Sequence, residues 1–126
     1  MKKTIFAIFV LLLFIGLGVG EQIYINKLFD KICDYAVVIG ELVRDGDMQN
    51  ALKEAEEARG TWEKHKHFLE AIISHNETRE VSVRLSELEG YISANDDKSA
   101  IATAKITEEL CKNIEHVLAF KWDTIL

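Results

Sequence analysis

From Ile25 onward the apolar residues return at Ile25, Leu28, Ile32, Tyr35, Ile39 and Leu42, three or four positions apart, and none of the 126 residues is a proline that could interrupt the pattern. An α-helix turns once per 3.6 residues, so this spacing draws one apolar stripe along it. The stripe then repeats. Met48, Ala51, Ala55, Ala58, Trp62, His65, Leu69 and Ile72 mark a second helix, and Val81, Leu85, Leu88 and Ile92 a third. Ala100, Ala104, Cys111, Ile114 and Leu118 mark a fourth, predicted from about Lys98 to Phe120. Asp45-Gly46-Asp47, His75 to Thr78 and Ala94 to Asp97 are the expected turns, with Asp47 placed to cap the second helix through its carboxylate. Gly60 falls inside that helix at a cost of about 1 kcal/mol relative to Ala, and so marks an expected kink or close packing.

Sliding the chain by 49 residues lays Asp47 on Asp96, Ala51 on Ala100, Ala55 on Ala104, His67 on His116 and Leu69 on Leu118. Ile32, Ile39 and Val43 then fall on Val81, Leu88 and Ile92, so the apolar phase is shared by the two halves. Each half reads as an αα-hairpin whose apolar face must be covered by the other. The expected fold is all-α: an N-terminal transmembrane helix followed by an up-and-down four-helix arrangement of two αα-hairpins.

The N-terminal part has a different constraint. After Lys2 and Lys3, the sixteen residues from Ile5 to Gly20 carry no charge. As a helix they span about 24 Å, and continuation to Ile25 exceeds the roughly 30 Å of a bilayer's hydrocarbon core. This predicts a membrane anchor over residues 1–25 and an acidic helical domain over 26–126. A signal peptide cleaved before Glu21, behind Gly18 and Gly20, is the competing reading. In both, the basic N-terminus stays in the cytoplasm and the domain crosses to the extracytoplasmic side, with the anchored chain a single-pass protein of the cell membrane. The aromatic tail from Phe120 to Leu126 suits either the water–lipid boundary or the end of the bundle.

Charge excludes one class of partner. The net charge is −6, and beyond Gly20 thirteen Lys and Arg face twenty-one Asp and Glu. Such a surface repels phosphate backbones, so nucleic acid is not an expected partner.

Chemistry-bearing residues are few. His65 and His67 stand two apart, about 200° around a helix, and cannot share a metal ion. His65 on the apolar stripe reads as a hydrogen-bonded structural residue, His67 and His116 as solvated, and Trp62 as a core anchor. His75 with Glu77 is a weak metal candidate. Glu54, Glu56 and Glu57 are spread around a helix as a solvated face. No Ser-His-Asp order, phosphate-binding glycine loop or Glu-x-x-His pair is present, so no catalytic, cofactor-binding or metal-ligating residue is assigned and an enzyme is not expected. Cys33 and Cys111 fall at nearly the same height on helices one and four. That permits a disulfide if those helices are neighbours, although two buried free thiols are the favoured reading.

Taken together, Trp62-x-x-His65, Leu69, Ile72, His75, Glu77, the Val81, Leu85, Leu88 and Tyr91-Ile92 stripe, Asp97, Ala100 and the closing Ile125-Leu126 resemble an uncharacterised family of short bacterial proteins of Firmicutes type. Its members have one N-terminal membrane segment and a helical domain of unknown function. The resemblance spans nearly the whole chain, with Thr124 where the family pattern has Asn, and implies membrane anchorage and a bacterial source but no activity. The expected role is a membrane-tethered interaction module whose partner is another envelope protein or a second copy of itself. The alternative is a small envelope sensor or carrier that binds a metal or an apolar ligand.

Overall fold

The computed structural model describes residues 1–125, with side-chain surroundings through Leu118. Four helices follow one another: α1 (Lys2–Arg44), α2 (Met48–Glu70), α3 (His75–Ser93) and α4 (Asp97–Ile125). α1 packs on α2 and α4, and α3 packs on α2 and α4, so the helices form a square of antiparallel neighbours. The up-and-down all-α fold expected from the sequence is the observed one, with no strand among the described residues.

α1 is a single helix of 43 residues, with no break between its apolar N-terminal part and the part that enters the bundle. Ile25 is its first core residue. Before that point its side chains meet little of the protein: Ile5, Phe9, Leu13 and Leu17 on one side, and Phe6 and Phe14 on others, are 54–68 % exposed. This part is long and apolar enough to cross a membrane, and a signal sequence has the same length and composition.

The bundle's interior has two parts. Near the α1–α2 and α3–α4 turns the core is thin, built from Ile39, Val43, Leu88 and Ile92 with Ala51, Ala55, Ala100 and Ala104. A side chain added at Gly40 would stand 3.7 Å from the Ala104 Cβ, an ordinary contact between closely approaching α1 and α4. Towards the other end the core widens around Phe29, Trp62, Leu69, Leu85, Ile114 and Leu118. Four alanines at the narrow end and two large aromatics at the wide end set how far apart the helices stand.

The 49-residue repeat is present in the backbone. At the end of α1 the Gly46 amide donates to the Val43 carbonyl (3.1 Å) and the Asp47 amide to that of Leu42 (2.9 Å). At the end of α3 the Asn95 amide donates to Ile92 (3.0 Å) and the Asp96 amide to Tyr91 (2.9 Å), the same pattern 49 residues on. Each is a Schellman turn whose central residue takes a left-handed conformation, Gly46 at φ 83° and Asn95 at φ 60°. Each closing aspartate then caps the following helix: Asp47 accepts from the Asn50 amide and Asp96 from the Ser99 amide, both at 3.2 Å.

Several boundaries differ from the sequence reading. The α2–α3 turn lies at Ala71–Ser74, not His75–Thr78, because the Ser74 hydroxyl accepts from the Glu77 amide at 3.3 Å and starts α3 at His75. Past Glu70 the helical phase ends, so Ile73 is buried while Ile72 is only half-buried. α4 runs on to Ile125, beyond Phe120, since no glycine or proline stops it. The side chains of the Phe120–Leu126 tail lie outside the described residues. On α1 the buried face takes in Phe29, Cys33, Ala36, Gly40 and Val43, with Tyr35 and Leu42 at its margin. Facing two neighbours, α1 buries more than one stripe. Thr103 and Thr107 join the core of α4, where the Thr107 hydroxyl donates to the Thr103 carbonyl at 2.8 Å.

Gly60 lies inside an unbroken α2 and has no close neighbour. It is exposed, and a Cβ there would meet nothing within 4 Å. Gly46→Ala should therefore destabilise the protein by about 1–2 kcal/mol through its positive φ, whereas Gly60→Ala should stabilise it by up to about 1 kcal/mol. Urea unfolding of the two variants beside the parent chain measures both signs.

Candidate functional site

Polar and reactive side chains from two helices come together along the α1–α4 seam. α1 contributes Asn26, Asp30 and Cys33, and α4 contributes Glu108, Cys111, Lys112, Glu115 and His116. The two sets face each other because both helices bury a stripe in the wide part of the core, and these residues are on or beside it. Asn26, Asp30, Lys112, Glu115 and His116 line an open groove over the seam.

Beneath that groove, Cys33 and Cys111 are buried in one core cluster as free thiols. Their equal height, read from the sequence, is matched by facing positions. The Cys33 sulfur lies 3.6 Å from the Glu108 carbonyl oxygen, one helical turn before Cys111. The neighbouring Cys111 thiol holds the Cys33 thiol below its ordinary value against the opposing effect of burial. The same pairing, followed by burial, pushes the Cys111 thiol up. Cys33 is the more exposed of the two thiols.

Glu115 is the unusual acid of the groove. Burial, followed by the neighbouring Asp30 carboxyl, raises its carboxyl to about 7. Its Oε1 is buried and has no hydrogen-bond partner among the described residues. Next to it, Lys112 donates to Glu108 at 2.8 Å, and this ion pair holds the Glu108 carboxyl below the usual range.

The histidines singled out in the sequence are dispersed. His65 is half-buried on α2 and hydrogen-bonded through Nδ1 to the Tyr24 hydroxyl, with the rings edge to face at 5.4 Å. His67 and His75 are exposed and lie 3.8 and 3.9 Å from Glu70. With the turn relocated, His75 and Glu77 stand in the first turn of α3, two residues apart and so on opposite sides of the helix. Among the described residues no group of three or more His, Cys, Asp or Glu side chains is arranged to hold a metal ion. Trp62 is fully buried, donates from Nε1 to the Ser82 hydroxyl at 2.8 Å and tilts against Phe29 at 5.9 Å. That hydroxyl in turn donates to the Thr78 carbonyl at 3.1 Å. Trp62 is a core anchor.

The sequence reading overlooked Asp30 and Glu115. Each looks like an ordinary surface acid, and only the i, i+3 relation of Asp30 to Cys33 and the i, i+4 relation of Cys111 to Glu115 hinted that they flank the thiols.

Glu115 gives the protein a pH dependence of definite sign. An unfolded glutamate titrates near 4.3 by the usual scale, while the folded chain keeps its proton up to about 7. Within that window the folded state binds more protons, so this group's contribution to stability falls as pH rises. Glu115→Gln should accordingly raise Tm at pH 8, and the gain should shrink towards pH 5. A gain independent of pH in calorimetry of both chains would contradict this origin.

Residues 19–125 match the family model described as Domain of unknown function (DUF4363). No curated protein and no solved structure matches the chain.

Proposed function

We propose that this chain, which belongs to the DUF4363 family of domains of unknown function, is a membrane-tethered module that presents a helical bundle to a protein partner. One observation carries the reading: the apolar N-terminal part of α1 is uncovered on all sides yet continues as the same helix into the bundle's core. Left in water, each large apolar side chain there would forgo about 1.5–3 kcal/mol of burial. Lipid is the environment that meets this demand around the whole circumference of a helix. Residues 1–25 then form the anchor and residues 26–126 the domain. With Lys2 and Lys3 on the cytoplasmic side, the acidic bundle lies outside.

The seam chemistry favours interaction over catalysis. Its thiols are buried, and the groove above them is open and lined by polar and ionisable side chains. A carrier role would need space between the hairpins, and Phe29, Trp62, Leu69 and Leu85 occupy that space with at most 2 % exposure. The outer faces are the available surface. Val37 on α1, Val83 on α3 and Ile106 on α4 are exposed apolar residues set among charges.

A photo-crosslinking residue placed at Val37, Val83 or Ile106 of the full chain, activated in intact cells, tests the proposal. The expected result is a discrete cross-linked product in the membrane fraction, formed from one face and not from the others. Monomer alone from all three positions, or a chain recovered outside the membrane fraction, would contradict it.

A further inference from the structure

We propose that Cys33 and Cys111 form an intramolecular disulfide that fastens α1 to α4. The bond is a modification of the bundle's own seam and is independent of the membrane reading. Both sulfurs belong to one core cluster, on the two helices that pack most extensively against each other. Cys33 reaches within 3.6 Å of the backbone one turn before Cys111, so closing the bond needs no change of register between the helices. No other cysteine exists in the chain to compete.

The reaction is thiol–disulfide exchange with a disulfide-bearing oxidant, of which glutathione disulfide is the simplest probe. The Cys33 thiolate attacks one sulfur of the oxidant, forming a mixed disulfide and expelling the first thiolate. Cys111 gives up its proton and attacks the Cys33 sulfur, expelling the second. Two protein thiols lose two electrons, the oxidant becomes two thiols, and the two released protons go to the leaving thiolates. Cys33 suits the first step because it is the more exposed of the two thiols. Access decides the timing: Cys111 has no exposed surface and Cys33 only 8 %, so exchange takes place before the seam closes or when it opens. The resulting loop contains all of α2 and α3, and restricting so long a loop in the unfolded chain is where most of the stabilisation arises in the chain-entropy account.

The test uses the full chain in detergent micelles, reduced and unfolded, then refolded with glutathione and glutathione disulfide. Thiols are afterwards alkylated under denaturing conditions. The expected product is a monomer lighter by two hydrogens, with no alkylated cysteine and a Tm higher than that of the reduced chain by on the order of 10 °C. Cys33→Ser and Cys111→Ser should each leave a single modifiable cysteine and no such gain in Tm. Oxidant added to folded, reduced chain that was never denatured should give the same product more slowly, which reads the geometry even if refolding is inefficient. Two alkylated cysteines per chain after both treatments, a disulfide between chains only, or a bond that lowers Tm would overturn the proposal.

Discussion

The unbroken backbone of α1 is the constraint on which the rest of the structure depends. The same 43 residues supply an apolar rod at one end and one wall of the bundle at the other. A helix of this length extends about 65 Å, far more than a domain of this size needs for its own packing. No turn or glycine hinge separates the two parts, as Gly16 and Gly20 both lie inside regular helix. Whatever holds the apolar end therefore also fixes the axis of the bundle. The other three helices assemble on the lower-hydropathy half of this rod, beginning at Ile25.

Duplicated turn chemistry brings those helices back onto the rod. A left-handed residue and a capping aspartate end each upward helix and start the next downward one, at Gly46-Asp47 and again at Asn95-Asp96. The alanines that follow by four and eight residues, Ala51 and Ala55 in one half and Ala100 and Ala104 in the other, keep the helices close near these turns. The halves then diverge. The second helix carries Trp62, which fills the wide end of the core, while the fourth carries Cys111, which faces Cys33 across the seam. One hairpin's packing anchor thus corresponds to the other's reactive edge, and the polar groove of Asp30 and Glu115 lies on the α1–α4 side.

Much of this fold was legible in the residues. The alternation of threes and fours located all four helices, and the Asp47 and Asp96 turns followed from their glycine, asparagine and aspartate content. His75-Asn76-Glu77-Thr78 is polar and loop-like in composition, yet it forms the first turn of α3. The decisive signal was Ser74 three residues before Glu77, the pairing of a helix start. A glycine inside a helix signals a kink or close packing, but Gly60 sits on an exposed face with open space around it. Thr103 and Thr107 were missed as core residues because a hydroxyl reads as polar, although a helix can satisfy it with its own carbonyl. The seam was half legible: helical rise put Cys33 and Cys111 at one height, but facing requires the rotation of each helix, which depends on which neighbours it packs against. The raised Glu115 carboxyl depends on burial and on Asp30 across the seam, neither of which a one-dimensional pattern expresses.

The central claim, that one continuous helix joins the apolar segment to the bundle, is tested most directly by amide hydrogen exchange on the full chain in lipid nanodiscs. The account predicts uninterrupted slow exchange from Leu17 through Ile32, with no gap where the apolar segment meets the core. Rapid exchange confined to Gly18–Gln22 would show a break in the helix and contradict it.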